Sequence, residues 1–265
     1  MKAIKRSSWS VPYLIFMILF VVLPLLLIVI YAFQDNSGHF TLSNITKFFT
    51  DKDALSTFAV SIEVAIETTA LCILFGYPAA WILANKQYNK SAVTIVLFIL
   101  PMWINALMRT LATAQLFVMF GVNLGKGTLL FGMVYDYLPF MIYPIYNVLL
   151  KMDKSYSEAA ADLGATPIQV FGKVTLPLSM PGISSGILMV FMPTVSTFAI
   201  SEFLTNNKIK LFGTIIQENI NSSMWNYGAA LSLIMLVIIG LTQRRHMTFR
   251  ILLTIPRRAP ILLKA

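Results

Sequence analysis

The feature that most restricts how this chain can fold is a run of 21 residues, 11–31, that contains no charged side chain. A helix that crosses the hydrocarbon core of a bilayer needs roughly 20 consecutive, mostly apolar residues. Similar runs recur along the chain, which is 57% hydrophobic and only 12% charged. Ordinary soluble domains do not have this composition. The sequence therefore predicts an integral membrane protein.

Six such segments predict an all-α polytopic membrane protein with six transmembrane helices. They are placed at residues 11–31, 62–83, 92–120, 133–150, 183–201 and 225–241. Proline removes a backbone donor and clashes with the preceding turn, so Pro101 in the third segment and Pro193 in the fifth predict kinks. Because no loop is long enough for a separate domain, residues 1–265 are interpreted as a single transmembrane domain.

The Lys and Arg residues are divided unequally between the loops. Fourteen of the 20 lie before the first span, after the second, after the fourth or after the sixth, and five lie in the remaining loops. Arg109 lies within the third span. Because cytoplasmic loops carry the excess of Lys and Arg, both termini are predicted to be cytoplasmic. The basic tail, residues 243–265, is interpreted as a segment in contact with membrane lipid.

The cytoplasmic loop between the fourth and fifth spans, residues 151–182, carries the strongest local signals. Ser155 and Glu158 have the spacing of a capping box, which predicts the start of a short helix. Gly164 is placed to end that helix, because glycine readily adopts the left-handed conformation found there. The loop is therefore predicted to be an ordered element rather than a linker.

A second helix is predicted directly after this turn. Thr166 is its N-cap, Pro167 occupies its first position, and Gln169 completes another capping box. The Leu-Pro dipeptide at 176–177 is predicted to stop it. Together the two helices form a helix-turn-helix element suited to interaction with another protein. Its apolar docking surface is predicted at Ala159, Ala160, Leu163, Val170 and Phe171.

This loop resembles a known motif. It has Glu-Ala-Ala at 158–160, Gly164 six residues after the glutamate, and Leu-Pro at 176–177 ahead of Pro181. The residues and their spacing are similar to the EAA loop of ABC importer permeases. In that family the coupling helix of the loop inserts into a cleft on a cytoplasmic ATPase, so the resemblance implies that ATP is hydrolysed by a partner and not by this chain. The resemblance assigns ATPase coupling to Glu158, Ala159, Ala160, Gly164 and Pro177.

Further motifs resemble one branch of that family, the PotB-type permeases of spermidine/putrescine importers. They are Gly-Tyr-Pro-Ala-Ala-Trp at 76–81, the stretch 100–109, Met-Pro at 192–193, Ser-Glu at 201–202 and Trp-Asn-Tyr-Gly-Ala-Ala at 225–230. The resemblance implies a type I ABC importer permease fold in the inner membrane of a prokaryote, forming half of a pathway for polyamines. It also implies three kinds of partner: a second permease subunit, two copies of an ATP-binding subunit and an extracytoplasmic substrate-binding protein. After Thr242 the chain departs from the pattern.

Four carboxylates lie in or beside the predicted spans. Glu63 and Glu67 are at i and i+4 near the outer end of the second span, Asp136 opens the fourth and Glu202 closes the fifth. Ionisable groups in a membrane are costly and normally face a cavity or a partner. For Glu63, Glu67 and Asp136 the alternative is a solvated carboxylate at the end of a span.

Aromatic residues accompany these carboxylates. A polyamine is a flexible polycation, which suits both charge pairing and contact with the face of an aromatic ring; Trp103, Tyr135 and Tyr227 supply such faces. Arg109 is itself a cation and is predicted to pair with a carboxylate or a backbone carbonyl. The substrate pathway is predicted at Trp103, Glu202, Glu63, Asp136 and Tyr227.

Other functions remain open at this point. An ABC importer for another small solute would use the same coupling loop. A secondary transporter would need its own coupling residues and usually an internal inverted repeat, and a membrane enzyme would need clustered acid/base groups or a metal site. The two histidines, His39 and His246, lie in different loops, so no catalytic site, metal or cofactor is predicted. The cations form no stripe with interleaved aromatic residues, so nucleic-acid binding is not predicted either.

Overall fold

A computed structural model describes residues 11–85, 88–89 and 91–254. Within these ranges the structure is helical, and its only β contact is an isolated bridge between Gln34 and Phe40. The helices are α1 (Val11–Met17), α2 (Leu23–Ala32), α3 (Ser43–Thr50), α4 (Lys52–Ala84), α5 (Ala92–Ile99), α6 (Ala106–Met119), α7 (Lys126–Leu150), α8 (Ser155–Asp162), α9 (Pro167–Val170), α10 (Leu176–Ser196), α11 (Ala199–Thr205), α12 (Phe212–Asn221) and α13 (Trp225–Thr254). The cationic N-terminal segment, Lys86, Lys90 and residues 255–265 of the predicted tail lie outside the described residues.

All six predicted segments are mainly helical, the third and fifth with an interruption, and the helices are compatible with six spans. Four are continuous and long enough to cross a bilayer: Val11–Ala32, Lys52–Ala84, Lys126–Leu150 and Pro167–Ser196. The third predicted span is a pair of helices, and in the sixth the apolar part, Trp225–Leu241, lies within the longer α13. The second span begins ten residues earlier than predicted, because the carboxylate of Asp51 caps the backbone N–H groups of Asp53 and Ala54.

The Leu-Pro dipeptide at 176–177 lies inside a continuous helix, so the prediction that it stops a helix is wrong. A five-residue π-helical turn, Phe171–Thr175, joins α9 to α10 immediately before it. Leu176 donates its N–H to the carbonyl of Phe171, five residues back. The wider turn lets the helix pass through Pro177, which has no N–H to donate. The same arrangement precedes Pro24, where the π-helical turn is Ile18–Val22.

The third span is broken rather than kinked. After α5 the chain makes a 3₁₀ turn, Leu100–Trp103, Ile104 is extended, and α6 leaves at 92° to the preceding segment. The side chain of Asn105 then caps α6 by accepting hydrogen bonds from the N–H groups of Leu107 and Met108. Pro101 therefore marks the right position, but the chain changes direction far more than a proline kink requires.

The fifth span is also interrupted. α10 continues through Pro193 and ends at Ser196, after which Thr197 is extended and α11 begins. The N-terminus of α12 packs against this interruption so closely that a Cβ on Gly213 would lie 2.2 Å from the carbonyl oxygen of Ser196. The break thus falls just beyond the proline, where the start of another helix abuts it.

The core lies where α4, α7 and α10 pack together. Met141, Ile142 and Ile145 of α7 are fully buried between the other two helices. The first span packs instead on α13 and exposes most of its apolar side chains, as expected of a lipid-facing helix. The ends of α4 and α7 meet the start of α8 around one cavity, which defines the α8 end of the bundle. The opposite end, where α3 packs on the starts of α4 and α12, is the α3 end.

Candidate functional site

The predicted helix-turn-helix element projects from the α8 end of the bundle. Its first helix begins at Ser155, as expected, but the capping box predicted for Ser155 and Glu158 is wrong. Lys154 occupies the N-cap position without a side-chain cap, and the carboxylate of Asp153 accepts the backbone N–H of Ser155 at 3.0 Å. This hydrogen bond lowers the pKa of the Asp153 carboxyl. Glu158 lies exposed in the first turn of α8, where a carboxylate is favoured by the helix dipole.

The turn between the two short helices agrees with the prediction. Gly164 has a φ of +83°, and its N–H donates to the carbonyl of Ala161 at 2.8 Å while Ala165 donates to Ala160. Thr166 and Gln169 form the expected capping box, each side chain accepting the backbone N–H of the other residue. The turn is thus determined by local sequence, and Gly164 is the residue that permits it.

The apolar surface of this element differs in part from the prediction. Leu163 is 89% exposed, and Ile168, which the sequence reasoning missed, is 83% exposed. Tyr156 is a further exposed residue that was missed. Phe171 instead turns back to the bundle and packs edge-to-face on Tyr77 of α4 at 5.7 Å between ring centroids. Ile168 lies on the outer side of the turn. Its position in the helical period that starts at the Thr166 cap could have predicted this exposure.

Helix α10 connects this element directly to the bundle core. Pro177, a predicted coupling residue, lies exposed in the first turn of α10. Two residues on, Ser179 is fully buried, and its hydroxyl is 3.0 Å from that of Tyr77. The second short helix, α9, is thus continuous with α10 in one helix, Pro167–Ser196.

Among the ion pairs of the described residues, the one at the third span is the most buried. Nε of Arg109 lies 2.6 Å from Oδ1 of Asp136, and the two side chains are only 7% and 2% exposed. Arg109 also donates to the carbonyl of Pro101 at 2.5 Å and to the carbonyl of Asp136 at 3.3 Å. The pairing predicted for Arg109 is confirmed. Asp136 does not open the fourth span, because α7 begins ten residues earlier, at Lys126, and this places the carboxylate inside the protein.

Glu63 and Glu67 face the same way, as their spacing predicted. Both accept a hydrogen bond from Nζ of Lys126, at 2.6 and 2.9 Å. All three side chains are partly exposed at the α3 end, where an ion pair contributes little stability. The sequence reasoning missed Lys126 as their partner, because the pairing depends on where α7 starts relative to α4.

Glu202 and Trp103 differ from the other predicted pathway residues. Glu202 is half-buried in α11, and no ion pair or side-chain hydrogen bond engages its carboxylate among the residues the structure describes. Trp103 is 84% exposed at the break in the third span. Within the same described ranges, no hydrogen bond or ring contact joins Trp103 to Glu202.

Tyr227 is already in contact with a cation. Nζ of Lys47 lies 4.2 Å from the centroid of its ring, and its hydroxyl donates to Oδ2 of Asp51 at 3.2 Å. The ring is buried against the start of α4. It therefore has the aromatic contact with a cation that was predicted for a substrate, but here the cation belongs to the chain itself.

Comparisons with known proteins agree with the membrane fold. Residues 4–244 match the model of the family described as binding-protein-dependent transport system inner membrane component. Two solved structures of a bacterial alginate ABC transporter superpose with TM-scores of 0.65 and 0.61, at 15% and 16% identity, and cover 91% and 92% of this chain and 94% of theirs. At such identities the likeness shows the fold alone.

Curated relatives are more similar in sequence. The spermidine/putrescine transport system permease protein PotB of Escherichia coli (strain K12) is 33% identical over 249 residues, covering 85% of this chain and 90% of its own length. PotB of Haemophilus influenzae is 31% identical with similar coverage, and a PotB homologue of Mycoplasma genitalium is 27% identical over 80% of each chain. The similarity extends across most of the chain rather than one motif.

Proposed function

Because the chain belongs to the family of binding-protein-dependent transport system inner membrane components, we propose that it is one permease subunit of an ATP-driven importer for polyamines. The polyamine assignment rests on the similarity to PotB proteins along 85% of the chain. In this proposal the domain comprises residues 1–265, its coupling loop comprises 151–182, and the second half of the pathway comes from another permease subunit.

The exposed coupling element carries the mechanistic part of the proposal. Leu163 and Ile168 extend almost fully into solvent at the tip of a polar end of the bundle, and exposed apolar side chains of this kind mark interaction sites. Their partner in this proposal is a cytoplasmic ATPase subunit, present in two copies per importer. Glu158, Ala159, Ala160, Gly164 and Pro177 remain the residues proposed for coupling.

Coupling then follows from helix continuity. The helix Pro167–Ser196 has 30 residues, and at 1.5 Å per residue it extends roughly 45 Å, from the proposed ATPase contact to the break in the fifth span. When the ATPase subunits close on ATP, the helix would carry that movement to Thr197 and α11. Glu202 lies in α11, so the movement would reach the residue proposed to contact the substrate.

The orientation and the remaining partners complete the proposal. The α8 end faces the cytoplasm, together with both chain termini, in agreement with the unequal distribution of Lys and Arg. The α3 end then faces an extracytoplasmic substrate-binding protein that delivers the polyamine. Trp103, Glu202, Glu63, Asp136 and Tyr227 remain the residues proposed for the pathway, and Glu202 is the one whose carboxylate is not paired within the described residues.

Uptake by the complete importer tests this function. Vesicles would carry the ATPase and trapped ATP inside, with the binding protein and labelled spermidine or putrescine outside. We expect saturable uptake that requires ATP and is inhibited by unlabelled polyamine. If the vesicles accumulate another solute but neither polyamine, the importer assignment stands and the substrate assignment is wrong.

The change Glu202→Gln tests the pathway. Removing one charged hydrogen bond to an ammonium group costs about 1.5–3 kcal/mol, so we expect the rate of polyamine uptake to fall roughly tenfold or more, while the amount of assembled importer stays the same. Glu218→Gln is the matched control, because Glu218 is paired with Lys210 at the surface. Equal uptake in the Glu202 and Glu218 variants would remove Glu202 from the pathway.

A further inference from the structure

Two buried charged side chains, Arg109 and Asp136, lie beside the break in the third span. Between α5 and α6 the regular helical hydrogen bonding stops, and backbone groups that lose their partners are costly where water is excluded. Asn105 satisfies the first N–H groups of α6. On the other side of the bend, the carbonyl of Pro101 accepts a hydrogen bond from Arg109.

Arg109 joins three parts of the protein at once. It belongs to the first turns of α6, it reaches back across the bend to Pro101, and it binds both the carboxylate and the carbonyl of Asp136 in α7. The hydroxyl of Thr110 lies 3.0 Å from the second carboxylate oxygen of Asp136. Each terminal nitrogen of the guanidinium thus donates one hydrogen bond, and Nε faces Oδ1 of Asp136 as an ion-pair contact. The ring centroid of Tyr135 lies 5.3 Å from the guanidinium carbon.

The structure assigns Arg109 and Asp136 a positioning role: the pair locks the bend of the third span to α7 and so sets where Trp103 stands. The two charges are paired with each other, and both side chains bind neighbouring groups as well. Asp136 therefore affects the pathway by holding the bend in place and does not bind the substrate itself. A planar guanidinium is needed, because a lysine ammonium is a point charge that cannot span Pro101 and both acceptors of Asp136. The link to transport rests on the proposed function, whereas the geometry of the bend does not.

The distance between α5 and α6 can be measured on the purified complex, so it tests the assignment without an uptake assay. Spin labels at the exposed positions Val93 in α5 and Val118 in α6, in a Cys72→Ser background, report the angle between the two helices in the purified complete complex. When Arg109 and Asp136 are both unchanged, we expect one narrow distribution of distances between the two labels. Arg109→Lys and the double change Arg109→Gln with Asp136→Asn should lose that narrow distance. The double change leaves no unpaired buried charge, so it should assemble even if Arg109→Gln alone does not.

The matched control is Thr113→Val, one turn beyond Arg109. Its hydroxyl bonds only within α6, to the carbonyl of Arg109, so the narrow distance should be retained. A narrow, unshifted distance in Arg109→Lys and in the double variant would overturn the assignment.

Uptake separates positioning from ligand binding. If the pair positions the bend, the maximal polyamine uptake rate of the double variant is lost and higher polyamine concentrations do not restore it. Recovery at high concentration would instead make Asp136 a ligand and overturn the positioning role. If the unchanged importer carries no polyamine but the distances behave as expected, the proposed function fails and the assignment of the pair stands.

Discussion

We expect Gly164→Asp to remove ATP-driven uptake while the permease remains in the membrane. Gly164 has a φ of +83°, a conformation that aspartate adopts less readily than glycine, and a carboxylate at the end of α8 opposes the helix dipole, at a cost of about 0.3–1 kcal/mol. Together these terms amount to about 1–2 kcal/mol, which lowers the population of the turn at Gly164 by roughly five- to thirtyfold. ATP-dependent uptake and the stimulation of ATP hydrolysis by the loaded binding protein would measure this loss.

Two controls separate the turn from other effects of this change. Asparagine tolerates the left-handed conformation and carries no charge, so Gly164→Asn should retain most of the uptake. Gly172→Asp places the same carboxylate on a nearby exposed glycine whose φ is not positive, and it should have a smaller effect. Undiminished uptake in Gly164→Asp would show that this turn does not take part in coupling.

The second large effect is expected at the break in the fifth span, where Gly213→Ala should destabilise the folded subunit. Its new Cβ would lie 2.2 Å from the carbonyl oxygen of Ser196 and 2.7 Å from that of Thr197. Both are backbone atoms, so the start of α12 or the break itself must move. Overpacking of this kind typically costs about 1–3 kcal/mol. The thermal unfolding midpoint of the purified subunit complex would report the change.

Gly127→Ala is the matched control for this prediction. Gly127 lies in the first turn of α7, and a Cβ there would meet no atom within 4 Å. Because alanine favours a helix over glycine by about 1 kcal/mol, we expect this variant to be as stable as the original chain or slightly more stable. Equal unfolding midpoints for Gly213→Ala and Gly127→Ala would contradict the close packing at the break.

Local sequence was sufficient wherever a structural feature depends on neighbouring residues. The spans follow from the length of the apolar runs, and the turn after α8 follows from Gly164 and the Thr166–Gln169 box. The sequence was misleading where two local solutions compete. At the start of α8, Asp153 replaces Ser155 as the capping group, and before Pro177 a π-helical turn keeps the helix continuous.

For the charged residues, the sequence predicted that partners are needed but not which residues provide them. Arg109 was expected to find a carboxylate or carbonyl and does so, but its partners come from residues 8 and 27 positions away. Asp136 was placed at the end of a span because the hydropathy pattern begins late, whereas α7 starts at Lys126 and encloses it. The partnership of Lys126 with Glu63 and Glu67 spans about 60 residues, a separation at which sequence spacing carries no information on contact.

The sequence by itself determined that this chain crosses a membrane on helices and carries an exposed helix-turn-helix loop, because apolar length, capping and glycine turns act over a few residues. Its similarity to known permeases rests on the same sequence. For the four carboxylates in or beside the spans, tertiary structure alone decided which are paired and that Glu202 has no partner within the described residues. It also decided how sharply the third span bends. Those outcomes depend on which helices pack against α7 and on how deep each charged side chain lies in the bundle. A charge inside the bundle is stable only beside a partner that the packing holds there.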